Sequence, residues 1–307
     1  MIEVIDLTKI YKRRSSTKKT FEKISALNHI NLNIKKGEIL GLIGPNGAGK
    51  TTTMKILSTL ILPDSGTAKI NGYDVINQPD IIKSQVGILA GEFNRSLYWR
   101  ISGRKNLRFF AKIKEIWDPD SRIDEIVEIF GLKNYENEQV MKYSTGMKHK
   151  LALAISMLND PPVLLLDEPL TGIDPVNAYD IKQIIKKKFS DKTIIWASHN
   201  LFEIEEMCDK IAFIKNGKII LQGDPKNLKK DYWSHKKIII HCDKPKLFES
   251  FKNATLKENL VEIKTENVTK TMKEIMNFVK RFKINILDFK TTSPSLEDIF
   301  MEKIKND

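Results

Sequence analysis

Through its first two-thirds the chain alternates short aliphatic runs with stretches in which apolar residues return at helical spacing. Glu38-Ile-Leu-Gly-Leu-Ile43 reads as a strand, and Lys50 to Leu60 as a helix closed by Pro63-Asp-Ser-Gly66. Pro162-Val-Leu-Leu-Leu166 is apolar without alternation, as a parallel strand covered on both faces should be. Thr193-Ile-Ile-Trp-Ala197 and Lys210-Ile-Ala-Phe-Ile214 predict two more strands. From about Asn106 to Leu158 the helical period dominates, for example at Ile123, Ile126, Val127, Ile129 and Phe130. Asn216-Gly217 is the expected turn of a hairpin that ends near Gly223. The pattern predicts an α/β core over residues 1–224 that carries a helical subdomain at about 92–160.

After Asp224-Pro225 the pattern resets, and residues 225–307 predict a small α+β accessory domain. Lys237-Ile-Ile-Ile-His241 and Leu260-Val-Glu-Ile263 read as strands. Thr271 to Phe282 reads as a helix with Met272, Ile275, Met276 and Val279 on one face. No internal repeat or low-complexity tract interrupts the chain.

Composition narrows the class. With 307 residues and 41% hydrophobic content, the chain can build a substantial core. Its longest apolar runs, such as Val163 to Leu166, fall far short of the roughly 18 residues a spanning helix needs. The start, Met1-Ile-Glu-Val-Ile-Asp-Leu, does not read as a signal peptide, so a cytosolic protein is expected. Cys208 and Cys242 match no metal spacing and read as reduced thiols. The net charge of +12 is spread among 39 acidic residues and reads as a solvated surface, with no nucleic-acid partner expected. The densest basic stretch, Lys9 to Lys23, reads as an exposed loop.

Chemistry enters at Gly44-Pro45-Asn46-Gly47-Ala48-Gly49-Lys50-Thr51, which fits the phosphate-loop pattern G-x-x-x-x-G-K-[ST] between a predicted strand and a predicted helix. Glycines let main-chain N–H groups close around a polyphosphate, and the helix beginning near Lys50 directs its positive end there. Lys50 is expected to reach the β- and γ-phosphates and Thr51 to bind Mg²⁺. The strand 163–166 ends in Asp167-Glu168-Pro169. Successive strand side chains point to opposite faces, so two adjacent acids should do different work. Asp167 suits Mg²⁺, and Glu168 suits a general base that polarises water.

With these motifs the chain resembles the ABC (ATP-binding cassette) ATPases over about residues 1–224. Tyr143-Ser144-Thr145-Gly146-Met147-Lys148 lies where that family keeps its signature, most often Leu-Ser-Gly-Gly-Gln. Thr145, Met147 and Lys148 depart from that form, whereas Ser144 and Gly146 are retained. The resemblance implies a P-loop NTPase cassette, with a mixed RecA-like core sheet plus a helical subdomain, that binds ATP and Mg²⁺. It implies that Ser144 and Gly146 contact the γ-phosphate held by a second subunit and that Tyr11 stacks on adenine. The resemblance likewise implies that Thr52 joins the phosphate site, that Asp174 of Thr171-Gly-Ile-Asp174 faces across a dimer, and that His199 senses the γ-phosphate. The family's Mg²⁺-touching glutamine is missing from Val86-Gly-Ile-Leu-Ala-Gly91-Glu92-Phe93, where Glu92 is the nearest polar candidate for the metal.

Pro294-Ser-Leu-Glu-Asp-Ile-Phe300 and Leu97-Tyr-Trp-Arg-Ile-Ser-Gly-Arg-Lys-Asn106 resemble bacterial and archaeal ATPases for drug, sodium or polysaccharide export. The implied protein is the ATPase subunit of a transporter, dimeric, peripheral on the inner face of the membrane, and coupled to a separate permease. A soluble ABC ATPase acting on ribosomes or DNA is the alternative. One phosphate loop and no sustained heptad run weigh against it. A regulator without turnover is disfavoured by Glu168. The cargo is not named by these residues.

Overall fold

The computed structural model describes residues 1–14, 21–93, 96–231, 236–257, 260–292 and 295–306. Two compact units divide the chain, Met1–Gln222 and Gly223–Asp307. In the first, the elements in chain order are β1 (Ile2–Arg14), β2 (Phe21–Ile34), β3 (Ile39–Ile43), α1 (Lys50–Leu57), β4 (Ser65–Ile70), β5 (Tyr73–Asp74), α2 (Pro79–Gln85), β6 (Val86–Leu89), α3 (Gly103–Ile113), α4 (Pro119–Ile129), α5 (Thr145–Ser156), β7 (Val163–Asp167), α6 (Pro175–Lys188), β8 (Thr193–Ser198), α7 (Leu201–Met207), β9 (Lys210–Lys215) and β10 (Lys218–Gly223).

The central sheet has the order β10-β9-β3-β8-β7-β6, and the pairs from β9 to β6 are parallel. Every residue of β7 and β8 is buried, which accounts for their unbroken apolar character. Register then sets up the site. Ile43 pairs with Ser198, Asp167 with Ala197, and Leu89 with Leu166. The carboxyl ends of β3, β6, β7 and β8 are therefore level, and the loops leaving them meet at one edge, where open α/β sheets bind ligands. Asn216 and Gly217 both have positive φ, 49° and 75°, as a type I′ hairpin turn between β9 and β10 requires.

A second sheet, β2-β1-β4-β5, is antiparallel. It corrects the reading of the basic stretch from Lys9 to Lys23 as a loop. β1 and β2 stay paired as far as Arg14 and Phe21, so Lys12, Arg13 and Arg14 lie on a β-ribbon. Lys18 and Lys19 lie outside the described residues. Helix α1 also stops earlier than expected. Thr59 turns left-handed at φ 61°, and the Leu60 N–H reaches back 2.8 Å to the Lys55 carbonyl, closing the helix.

The helical subdomain holds α3, α4 and α5. Ile123, Ile126, Val127 and Phe130 are buried. Arg104 ties its parts together through Asp120 (3.0 Å), Asp124 (2.7 Å) and Glu136 (2.9 Å).

The second unit contains α8 (Pro225–Asp231), β11 (Lys236–Cys242), β12 (Ala254–Lys257), β13 (Leu260–Thr265), α9 (Val268–Phe282), β14 (Ile286–Thr292) and α10 (Leu296–Asn306). Its antiparallel sheet runs β12-β13-β11-β14. Ile238, Ile240, Phe248, Val261, Ile263 and Ile275 form its core, with Val268, Phe278 and Val279 packed against it. The inward face of α9 is thus rotated from the expected one: Met272 and Met276 are exposed. In the tail, Ser295 and Asp298 cap α10 reciprocally, Asp298 also pairs with Lys237, and Leu296 and Ile299 are buried. Pro294 lies outside the described residues.

Candidate active site at the carboxyl edge of the central sheet

The phosphate loop leaves β3 and enters α1. Gly49 has φ 117°, and a Cβ there would come within 2.6 Å of the Ala26 carbonyl, so glycine is required on both counts. The loop, Thr51, Thr52, Gly91, Asp167 and Glu168 line a cavity of about 210 Å³. A groove of about 670 Å³ in the second unit is larger, but its lining, from Phe251 to Glu274, has no phosphate loop. Chemistry rather than volume marks the site. Lys50 is buried and folded onto its own loop, donating to the Gly44 carbonyl at 2.5 Å; its Nζ is 3.7 Å from Glu168 Oε1.

Asp167 closes β7 and accepts from Thr51 Oγ1 at 2.7 Å through Oδ2, while Oδ1 is buried without a hydrogen-bond partner. Burial pushes its carboxyl above the ordinary range, the Thr51 hydrogen bond opposes this, and the adjacent Glu168 charge adds to it. An orphaned carboxylate oxygen beside a hydroxyl suits a hard cation. The residues therefore fit Mg²⁺. Among the described residues there is no cluster of three or more His, Cys, Asp or Glu able to hold a metal by itself.

Glu168 turns the other way, at φ 52°, with its N–H on the Ala197 carbonyl at 2.9 Å. Thr171 Oγ1 donates to its Oε2 at 3.0 Å, and His199 Nδ1 is 2.9 Å from either oxygen. Three residues flanking His199 escaped the sequence reading. Ser198 and Asn200 donate to Glu203 at 3.2 and 3.0 Å, and Asn200 caps α7. Burial raises the Glu203 carboxyl above its ordinary value. The legible signal was Asn200 with Glu203 three positions on, a capping box.

The remaining candidates lie elsewhere. Glu92 is exposed in the turn after β6, and it is the neighbouring Gly91 that lines the cavity. Tyr11 is partly exposed on β1 with the Lys9 ammonium 5.7 Å from its ring centre, away from the cavity lining. Ser144 caps α5 through the Met147 N–H at 3.2 Å. Gly146 is buried, and a Cβ there would come within 2.4 Å of Asn177 Cγ. Asp174 caps α6 through Asn177, whose hydrogen bonds hold that carboxyl below the usual carboxylate range. Ser144, Gly146 and Asp174 do not line the phosphate cavity of their own chain.

A family model for the ABC transporter matches residues 27–171. The chain is 33% identical over 223 residues to the ABC transporter ATP-binding protein NatA of Bacillus subtilis, spanning 72% of this chain and 89% of the relative. The chain belongs to the ABC transporter ATP-binding family. The ABC cassette is also 35% identical over 232 residues to the bacitracin transport ATP-binding protein BcrA of Bacillus licheniformis, covering 75% and 72% of the two chains. Among solved structures, a dimeric ATP-binding cassette in a post-hydrolysis state, bound to ADP and phosphate, superposes with a TM-score of 0.64 at 25% identity, covering 73% of this chain and 98% of that one. Residues 223–304 match the C-terminal domain of DrrA1-3-like ATP-binding proteins. The ABC cassette therefore binds ATP with Mg²⁺ and hydrolyses it as the ATP-binding subunit of a transporter.

Proposed function

We propose that this ATPase powers export through a separate membrane permease, as one of two cassettes that close on ATP. Export is supported by the DrrA-like second unit and by the bacitracin-transport relative. Ser144 and Gly146 stand off their own cavity, so they complete the cavity of the opposite chain, with Asp174 at the same seam. Tyr98 and Trp99, both about half exposed between β6 and α3, meet the permease. The ATPase lies at the inner face of the membrane through that permease; among the described residues no helix is long and apolar enough to cross. The second unit supports dimerisation or regulation.

In the proposed reaction, the loop from Gly44 to Gly49 holds the phosphates by main-chain N–H groups, and Lys50 exchanges its Gly44 carbonyl for phosphate oxygens. Thr51 and Asp167 hold Mg²⁺, which neutralises phosphate charge. Glu168, aimed by Thr171 and His199, accepts the proton of the attacking water, and His199 sets its position against the γ-phosphate.

One observation carries this reading: a carboxylate fixed by Thr171 and His199 at the wall of a phosphate-loop cavity, next to a buried carboxylate with a free oxygen. Glu168→Gln tests it. ATP binding should survive while hydrolysis falls by roughly 10²–10⁴-fold, the usual worth of a positioned base. The variant should then collect as an ATP-bound dimer in size-exclusion chromatography. Hydrolysis at the wild-type rate would remove Glu168 from the role.

A further inference from the structure

The ladder of β8 ends at Ser198, which pairs with Ile43, and α7 begins at Leu201. His199 therefore stands between a sheet that has ended and a helix that has not begun. Its side chain is 58% exposed, so packing does little to choose among its rotamers. Yet its Nδ1 sits 2.9 Å from both oxygens of Glu168. What aims the ring is then the direction of its Cα–Cβ bond, which the chain on either side sets.

Glu203 holds both sides. Buried Ser198 donates from Oγ to Glu203 Oε2 at 3.2 Å, and Asn200 donates from Nδ2 to Oε1 at 3.0 Å. In an ordinary capping box the acid returns to the N–H of the capping residue. Here Ser198 Oγ accepts that N–H, from Asn200, at 3.0 Å, and the carboxylate bridges the side chains before and after His199 instead. The helix start is capped without it: Asn200 Oδ1 accepts from the N–H groups of Phe202 and Glu203 at 3.0 and 3.4 Å. Burial disfavours the charge of Glu203, and its two hydrogen bonds oppose that effect, which keeps the carboxylate on both donors.

We propose that Glu203 is a positioning residue that buckles Ser198 to Asn200 and so aims the intervening His199 at the Glu168 carboxylate. The proposal rests on the reading of Glu168 as general base and of His199 as the group that helps to aim it. Glu203 does not line the phosphate cavity, so its loss should affect turnover and spare nucleotide binding.

The test joins kinetics to structure on the full-length ATPase. Glu203→Ala should lower kcat about tenfold, as expected when a reacting group loses its alignment, with KM for ATP changed less than about twofold. Glu203→Gln has the same reach: its carbonyl can accept from Asn200 and its amide can donate to Ser198 Oγ. It should recover kcat to within about threefold of wild type. Crystal structures of the nucleotide-free wild type and Glu203→Ala should differ at His199, with Nδ1 beyond hydrogen-bonding distance of both Glu168 oxygens in the variant. A ring that keeps its place, a loss confined to KM, or no recovery in Glu203→Gln would overturn the proposal. So would a lower melting temperature with kcat unchanged, which is what a helix cap alone predicts. If the alanine variant does not fold, Ser198→Ala, which cuts one arm of the buckle, is read by the same kcat, KM and ring position. His199→Ala assayed in parallel judges the underlying reading separately. Wild-type hydrolysis there would end that reading, while the ring position in the Glu203→Ala structure still decides the buckle.

Discussion

Gly146 illustrates how one position can serve two ends. The resemblance assigns it to phosphate recognition, yet its missing side chain is already required by Asn177, whose Cγ would lie 2.4 Å from an added Cβ. Gly146→Ala should therefore destabilise the cassette by about 1–3 kcal/mol, the usual cost of overpacking, and lower its melting temperature by several degrees. Shortening the neighbour in the same chain, Asn177→Ala, should restore part of that stability. If it restores none, the clash is not the cause. The two thiols make a second residue-scale case. Cys208 and Cys242 are buried, and burial pushes both thiols above their ordinary values. A thiol-reactive chromophore at pH 8 should titrate neither in the folded protein and both in denaturant. Fast labelling of the native chain would mean that one of them opens locally.

The site residues legible in the sequence were those whose chemistry is carried by a local pattern. The phosphate loop, Asp167 and Glu168 each sit where a strand ends, and the apolar run before them gives that strand away. The bond between His199 and Glu168 was not legible as a partnership, because it depends on which loops the parallel register of β7 and β8 brings level.

Among elements, β7, β8 and the Asn216-Gly217 turn follow from burial and from backbone sterics that act within a few residues. The β1–β2 ribbon does not, since its far end carries Lys12, Arg13 and Arg14 with no apolar alternation. The face of α9 was misjudged because both methionines fit a helical stripe, and only packing decides which side of the stripe turns inward. The loop from Leu97 to Asn106 is held by a device visible only in three dimensions. Asn106 is fully buried, accepts the Tyr98 N–H at 2.8 Å, and donates to the carbonyls of Tyr98 and Ser102 at 3.0 Å each. Asn106→Leu leaves the Tyr98 N–H without its partner and takes one of two hydrogen bonds from each of the Tyr98 and Ser102 carbonyls, so a stability loss of about 1–3 kcal/mol is expected in denaturant titration. It should also weaken pull-down of the permease, because Tyr98 would no longer be presented in one conformation. Intact binding with the same stability loss would place the permease contact elsewhere.

At the scale of the whole molecule, the separation of Ser144 from the cavity of its own chain makes a composite site testable. A mixed dimer with Lys50→Ala in one chain and Ser144→Arg in the other puts both lesions in one cavity and leaves its twin whole. Activity near half of wild type is expected when the two cavities fire independently. Turnover that is insensitive to protein concentration would mean that each chain works alone. Truncation after Gln222 removes the second unit at its own boundary. Nucleotide binding should persist while dimerisation weakens or the ATPase rate shifts. A truncated chain equal to the full one in all three respects would deny the second unit an accessory role.

The left-handed backbone of Glu168 has a consequence for how such proteins decay. A side chain other than glycine, asparagine or aspartate is disfavoured at φ 52°, at a cost of order 1–3 kcal/mol. Glu168→Gly and Glu168→Asn should abolish hydrolysis and yet melt at a higher temperature than the working protein. A lineage released from the need to transport would then slide toward those residues with stability in its favour. Upkeep of the motor is thus a standing load on the fold, carried only as long as the cargo matters to the cell.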